Sequence, residues 1–196
     1  KRFLRYYDGE IFGDNGAFSY HMLDEPPYSV SETVTFYEKC KFNYGMSVDH
    51  IIFEYDKRFD TDGDFDDNYK VTEKMQKRYD ITINNAKEFL KECAKQKVHF
   101  HPIGVVQAWS PNSMKRAARE LIDMGYTYIA IGGLVPLDIN SCEEIVKSVR
   151  DEIGYDIKIH LLGFAKAKQL DRFIKYKITS FDSTSPLIRA FKDEKD

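Results

Sequence analysis

Two periods of apolar and polar residues alternate along this chain. Short apolar runs fall at residues 46–53 (MSVDHIIF), 101–107 (HPIGVVQ), 128–133 (YIAIGG), 157–163 (IKIHLLG) and 178–182 (ITSFD). Their length and near-continuous apolar character are those of buried parallel strands. The stretches between them have helical spacing. Within residues 81–97, Ala86, Phe89, Leu90, Cys93 and Ala94 recur at i, i+3, i+4, i+7 and i+8, one face of a helix. Residues 110–126 open on Ser110 as N-cap with Pro111 at the first helical position, and stop at Gly125. Residues 140–155 repeat that grammar with Asn140 or Ser141 as the cap and Gly154 as the stop, and residues 165–177 supply a fourth helix.

Strand–helix alternation of this kind builds a parallel sheet covered by helices, either doubly wound or closed as a barrel. No G-x-G-x-x-G or P-loop follows any of the runs, so the commonest reasons for a doubly wound nucleotide site are missing. Polar residues or glycines stand repeatedly where the strands end: Asp49, Gln107, Gly132, Gly133, Gly163 and Asp182. Barrels assemble their sites from several strand ends at once, so the expected fold is an α/β (β/α)8 TIM barrel. An eight-stranded barrel typically takes about 250 residues. Only five or six strands can be counted in these 196 residues, which start without Met and end in FKDEKD. The expectation is therefore one domain over residues 1–196, an incomplete barrel with an exposed edge.

An acidic insertion at about 57–72 interrupts the alternation. Its Asp60, Asp62 and Asp64 sit like positions 1, 3 and 5 of a calcium loop. Phe65 stands where such a loop needs Gly and Val71 where it needs Glu, so the segment reads as a solvated insertion.

Composition adds bounds. At 42% hydrophobic and 14% aromatic residues, the chain suits one domain with a substantial core. No run approaches the roughly 18 apolar residues of a membrane span, and no signal-peptide pattern opens the chain, so the expected compartment is the cytoplasm. Cys40, Cys93 and Cys142 are odd in number and far apart, which argues against a disulfide framework or a C-x-x-C zinc site. The net charge of −3 is uneven: residues 1–75 hold 16 acids and 9 Lys/Arg, residues 76–196 hold 16 acids and 20 Lys/Arg. Only the second half leaves a nucleic-acid partner open on charge grounds.

Four stretches, taken together and in order, are more specific. GDNGAFSY (13–20), GMSVDHII (45–52), GVVQAW to YIAIGGL (104–134) and SFDSTSP (180–186) resemble the motifs of the tRNA-guanine transglycosylase superfamily over nearly the whole chain. That family is a (β/α)8 barrel that exchanges a guanine base for a 7-deazaguanine. Where its tRNA enzymes carry Asp-Ser-Gly-Gly-Phe-Gln, this chain has Asp14-Asn15-Gly16-Ala17-Phe18-Ser19, and Gln107 is followed by Ala108-Trp109 rather than Gly-Gly. SVDH and FDSTSPL look like the branch that inserts 7-cyano-7-deazaguanine into DNA.

The resemblance implies roles position by position. Asp182 matches the aspartate nucleophile that attacks C1′ of the sugar, and Asp14 the acid–base carboxylate. Asp49 and Gln107 match the side chains that read the base edge, and Gly133 and Leu134 would offer backbone groups. Phe18 and Tyr20 are aromatics that can stack on a base or simply pack. Trp109 and Arg189 are candidates to touch the nucleic acid, and Pro186 to fix the turn behind Asp182. The histidines at 50, 99, 101 and 160 read as scaffold or surface residues, having no ligand spacing. The implied partners are DNA or, alternatively, tRNA, together with a 7-deazaguanine base and a homodimer mate or DNA-modification proteins. The superfamily's structural zinc, held by three cysteines and a histidine, finds no ligands after Cys142 and would belong to a further C-terminal region. Two readings from other classes stay open: a non-catalytic base-binding homologue and an unrelated two-carboxylate barrel hydrolase.

Overall fold

The computed structural model describes residues 7–61, 67–184 and 191. Six parallel strands lie side by side in chain order: β1 (Phe12–Gly13), β2 (Tyr44–Met46), β3 (His101–Val106), β4 (Tyr128–Ile131), β5 (Lys158–Leu161) and β6 (Ser180–Phe181). Four α-helices connect them: α1 (Val30–Cys40), α2 (Glu73–Gln96), α3 (Pro111–Asp123) and α4 (Ile139–Ile153). A 3-10 segment, Ala167–Tyr176, takes the place of the fourth expected helix and is kinked at Gln169.

The sheet is rolled. In a flat sheet β1 and β5 would stand about 19 Å apart, four steps of about 4.8 Å. Yet the Phe12 ring on β1 stacks on the His160 ring on β5 at 5.5 Å between centroids, and meets Tyr128 on β4 edge-on at 6.4 Å. Such meetings require a concave face on which side chains of distant strands converge. That face is lined by Met46, Ile103, Val105, Tyr128 and Ala130, with Phe12, Tyr44 and Leu162 against them. The described residues thus form a half-barrel, an arc of the expected (β/α)8 architecture.

Alternate residues face outward and bury against the helices. Val106, Ile129, Ile131, Ile159 and Leu161 pack on Ala117, Ala118, Leu121, Ile145, Val146 and Val149 of α3 and α4. Every residue of β4 is buried, which explains why its run has no polar alternation. Arg150 fixes the entry to β5: its buried guanidinium donates to the carbonyls of Tyr176, Gly154, Ile157 and Lys177.

Several boundaries differ from the sequence reading. The run at 46–53 is strand only at its first residue. β2 begins two residues earlier, because its register is set by pairing Tyr44 with His101 and Met46 with Ile103. Helix α4 is capped by Asp138, whose Oδ1 accepts from the N–H groups of Asn140 and Ser141, so neither of those is the cap. Ser110 and Pro111 start α3 as expected, with a capping box through Ser113. Asp60 ties the acidic insertion to the same helix end by accepting from Ser110 Oγ and Asn112 N–H. Asp62, Asp64 and Phe65 lie outside the described residues, as do Pro186 and Arg189.

Candidate active site

All six strands are parallel, so their C-terminal ends share one rim of the arc. Asp14 follows β1, Asp49 lies three residues beyond β2, Gln107 follows β3, Gly132 and Gly133 follow β4, Gly163 comes two residues after β5, and Asp182 follows β6. The structure brings the sequence-predicted residues to this one end.

Asp49 is the most enclosed of them, at 2% exposure. Asn15 Nδ2 donates to its Oδ1 at 2.8 Å and Gln107 Nε2 to its Oδ2 at 2.7 Å. Asn15 is itself fixed by donating to the Ser47 carbonyl and by accepting from the Tyr20 hydroxyl, which also donates to the Asp49 carbonyl. Burial raises the Asp49 carboxyl to about 6, with the neighbouring Asp14 charge acting the same way and the two amide donors opposing. Gln107 lies across Gly132: a Cβ there would fall 2.3 Å from Gln107 Nε2. Gly133 sits at φ +73°, a backbone region that favours glycine, and a Cβ added there would lie 3.4 Å from Gln107 Oε1. That Oε1 is buried and, among the described residues, has no donor. This leaves a buried acceptor position beside the Asp49 carboxylate that an N–H group could satisfy. Leu134 is buried in the outer core, and its carbonyl already accepts from Leu137 N–H and Lys166 Nζ. Any part it takes rests on its own N–H.

Asp182 is built differently. Its side chain is half exposed, and its Oδ1 accepts from His160 Nε2 at 3.1 Å and from Gly163 N–H at 2.8 Å. Partial burial raises its carboxyl, but these two hydrogen bonds and the charge of His160 outweigh it, and the group is held below the usual aspartate range. Asp14 opens to the mouth, yet enough protein surrounds it that loss of water raises its carboxyl. The N–H groups of Gly16 and Asn15 oppose that rise, and the Asp182 charge adds to it. Two carboxyls on one rim are thus pushed in opposite directions, Asp14 upward and Asp182 downward.

Other residues fall elsewhere. Trp109 is 4% exposed and packs between Tyr79 and Arg116 in the outer core, so it is not a surface contact for a nucleic acid. Tyr20 is buried scaffolding, whereas Phe18 stands exposed at the mouth beside Phe53. His160 is a buried, hydrogen-bonded residue as expected, and one of its partners is Asp182. Asn15, which organises Asp49, was passed over. Among the described residues no group of three or more His, Cys, Asp or Glu side chains could hold a metal ion, and the three cysteines are scattered over α1, α2 and α4. The residues present do not fit a three-cysteine zinc site.

Residues 1–193 match the family described as queuine tRNA-ribosyltransferase. A DNA-guanine transglycosylase from Salmonella montevideo is 40% identical over 196 residues, the whole of this chain. The chain spans 45% of that relative's length.

Proposed function

The chain belongs to the queuine tRNA-ribosyltransferase family, and from that premise we propose that it exchanges guanine in DNA for a 7-deazaguanine through a glycosyl–aspartate intermediate. The observation that carries this reading is the gathering of Asp14, Asp49, Gln107 and Asp182 at the strand ends of one rim, with Asp182 held by His160 and Gly163 and Asp49 by Asn15 and Gln107. The name of the 40% identical relative supports guanine and DNA as the substrate class.

The steps balance as follows. A free oxygen of Asp182 attacks C1′ as the C1′–N9 bond breaks, and its electron pair leaves with the guanine. Asp14 delivers a proton to the departing base. The incoming base enters the same pocket and loses its N9-equivalent proton to Asp14. Its nitrogen then attacks C1′, and Asp182 departs as a carboxylate. Two displacements at C1′ leave the sugar configuration unchanged. Asp49 accepts from the ring N–H and exocyclic amine of the base, Gln107 Oε1 accepts a further N–H, and Gly133 lets the base approach the backbone. C1′ attack and edge reading both require the nucleotide outside the stack, so the base is flipped into the rim.

The test uses the protein at its native length, duplex DNA with labelled guanine, and 7-cyano-7-deazaguanine. Release of label by wild type and its loss in Asp182→Ala is the expected result. Release from tRNA but not from DNA moves the substrate to tRNA, and release from neither overturns the reading.

A further inference from the structure

Four side chains from three strands form a continuous line behind the candidate nucleophile. Tyr128 on β4 meets Ser180 Oγ on β6 through its hydroxyl at 2.6 Å, Ser180 Oγ meets His160 Nδ1 on β5 at 2.6 Å, and His160 Nε2 meets Asp182 Oδ1 at 3.1 Å. The carboxylate can only accept, so Nε2 carries the proton. A neutral imidazole then accepts at Nδ1 from Ser180, which in turn accepts from Tyr128. A cationic imidazole reverses those hydroxyls without losing a hydrogen bond. Either way the donor facing Asp182 persists. His160 is itself buried and pinned under the stacked Phe12 ring. Gly163 N–H holds the same oxygen, Oδ1, from a backbone at φ +64°.

We propose that His160 is the positioning residue for the nucleophile: with Gly163 it immobilises Asp182 Oδ1 and leaves Oδ2 as the oxygen that bonds to C1′. The proposal rests on the transglycosylase reading above. In the glycosyl ester Oδ1 is the carbonyl oxygen, still facing both donors. In the second displacement the C1′–Oδ2 bond breaks, its electron pair returns to the carboxylate, and the same two N–H groups receive the charge that develops. His160 therefore aids the departure of Asp182 as much as its attack. Among the described residues, the other titratable or charged groups facing this line are Asp14 beyond β1, Tyr44 on β2 with its partner Glu10, His101 on β3, whose ring lies 6.2 Å from that of Tyr128, and Lys158, whose ammonium lies over the Tyr128 ring.

Two substitutions separate donation from packing. His160→Phe keeps a ring under Phe12 but offers no donor, whereas His160→Gln places an amide N–H near the position of Nε2. Single-turnover guanine release should fall about 100-fold in H160F, the scale of a misaligned reacting group. In H160Q it should stay within about tenfold, the worth of roughly one net hydrogen bond. Base affinity, set across the rim by Asp49 and Gln107, should be unchanged in both, which also reports that each variant is folded. The acid limb of the H160F rate profile should move to higher pH, together with the Asp182 carboxyl titration read by carbon NMR without DNA. Equal losses in H160F and H160Q, or an Asp182 titration unmoved in H160F, would overturn the proposal. Should wild type release no guanine, the transglycosylase reading fails, and the NMR titration alone decides whether His160 clamps Asp182.

Discussion

Asp49 and Asp182 each accept two hydrogen bonds from neighbouring donors, yet their carboxyls shift in opposite directions. The β2–β3 side of the rim surrounds Asp49 with amides and shuts out water, so its carboxyl rises to about 6. The β5–β6 side leaves Asp182 half in solvent and supplies an imidazole and a backbone N–H, so its carboxyl falls. The number of hydrogen bonds is the same. What differs is the depth of burial and the presence of a group that can carry positive charge. The two carboxylates thus stand on one rim in unlike surroundings, one enclosed by amides and one half in solvent beside an imidazole.

The largest effect that tests this division is at Asp182. Asp182→Asn keeps the shape and removes the charge and the nucleophile, and base exchange should fall by about 10⁴-fold or more with base affinity retained. Asp14→Asn should cost about 10²–10³-fold in the rate, the usual scale for a general acid–base, and should remove the pH limb that belongs to Asp14. Asp49 should show itself through pH. Its carboxyl is raised on folding, so the native state keeps a proton that the unfolded chain releases between about 4 and about 6. Stability from this group is present below that window and falls across it as pH rises, by on the order of 3 kcal/mol. Denaturant titrations should lose that slope in Asp49→Asn. Base affinity should run the other way, rising as pH climbs through about 6, because the donors of the base prefer the ionised carboxylate. The smallest effect is at Gly133: at φ +73° an added Cβ would lie 3.3 Å from the Ile52 carbonyl. Gly133→Ala should destabilise by about 1–2 kcal/mol in the same titrations.

The sequence exposed the alternation and the polar residues at the strand ends, because these are local patterns of apolar period and small polar residues, while Asp14 was picked out by the family resemblance of its segment. It was weaker where partners are distant. Tyr44–Met46 is a strand because β3 lies alongside it, while Val48 and Ile52, though apolar, are buried as loop. Helix α1 was passed over despite a readable capping box from Ser29 to Glu32. His160 could not be told from a scaffold histidine, because its contact to Asp182 spans 22 residues and exists only once β5 and β6 pair. Trp109 misled for the converse reason: a large aromatic beside a strand end packs inward when α2 presents Tyr79 to it.

The most direct measurement is of the intermediate itself. The native-length protein would be mixed with guanine-containing duplex DNA and no incoming base, then resolved under denaturing conditions. The account predicts a covalent protein–DNA adduct in wild type, mapped by mass to Asp182, absent in Asp182→Ala and discharged by adding 7-cyano-7-deazaguanine. Guanine release without any adduct, or an adduct that persists in Asp182→Ala, would contradict it.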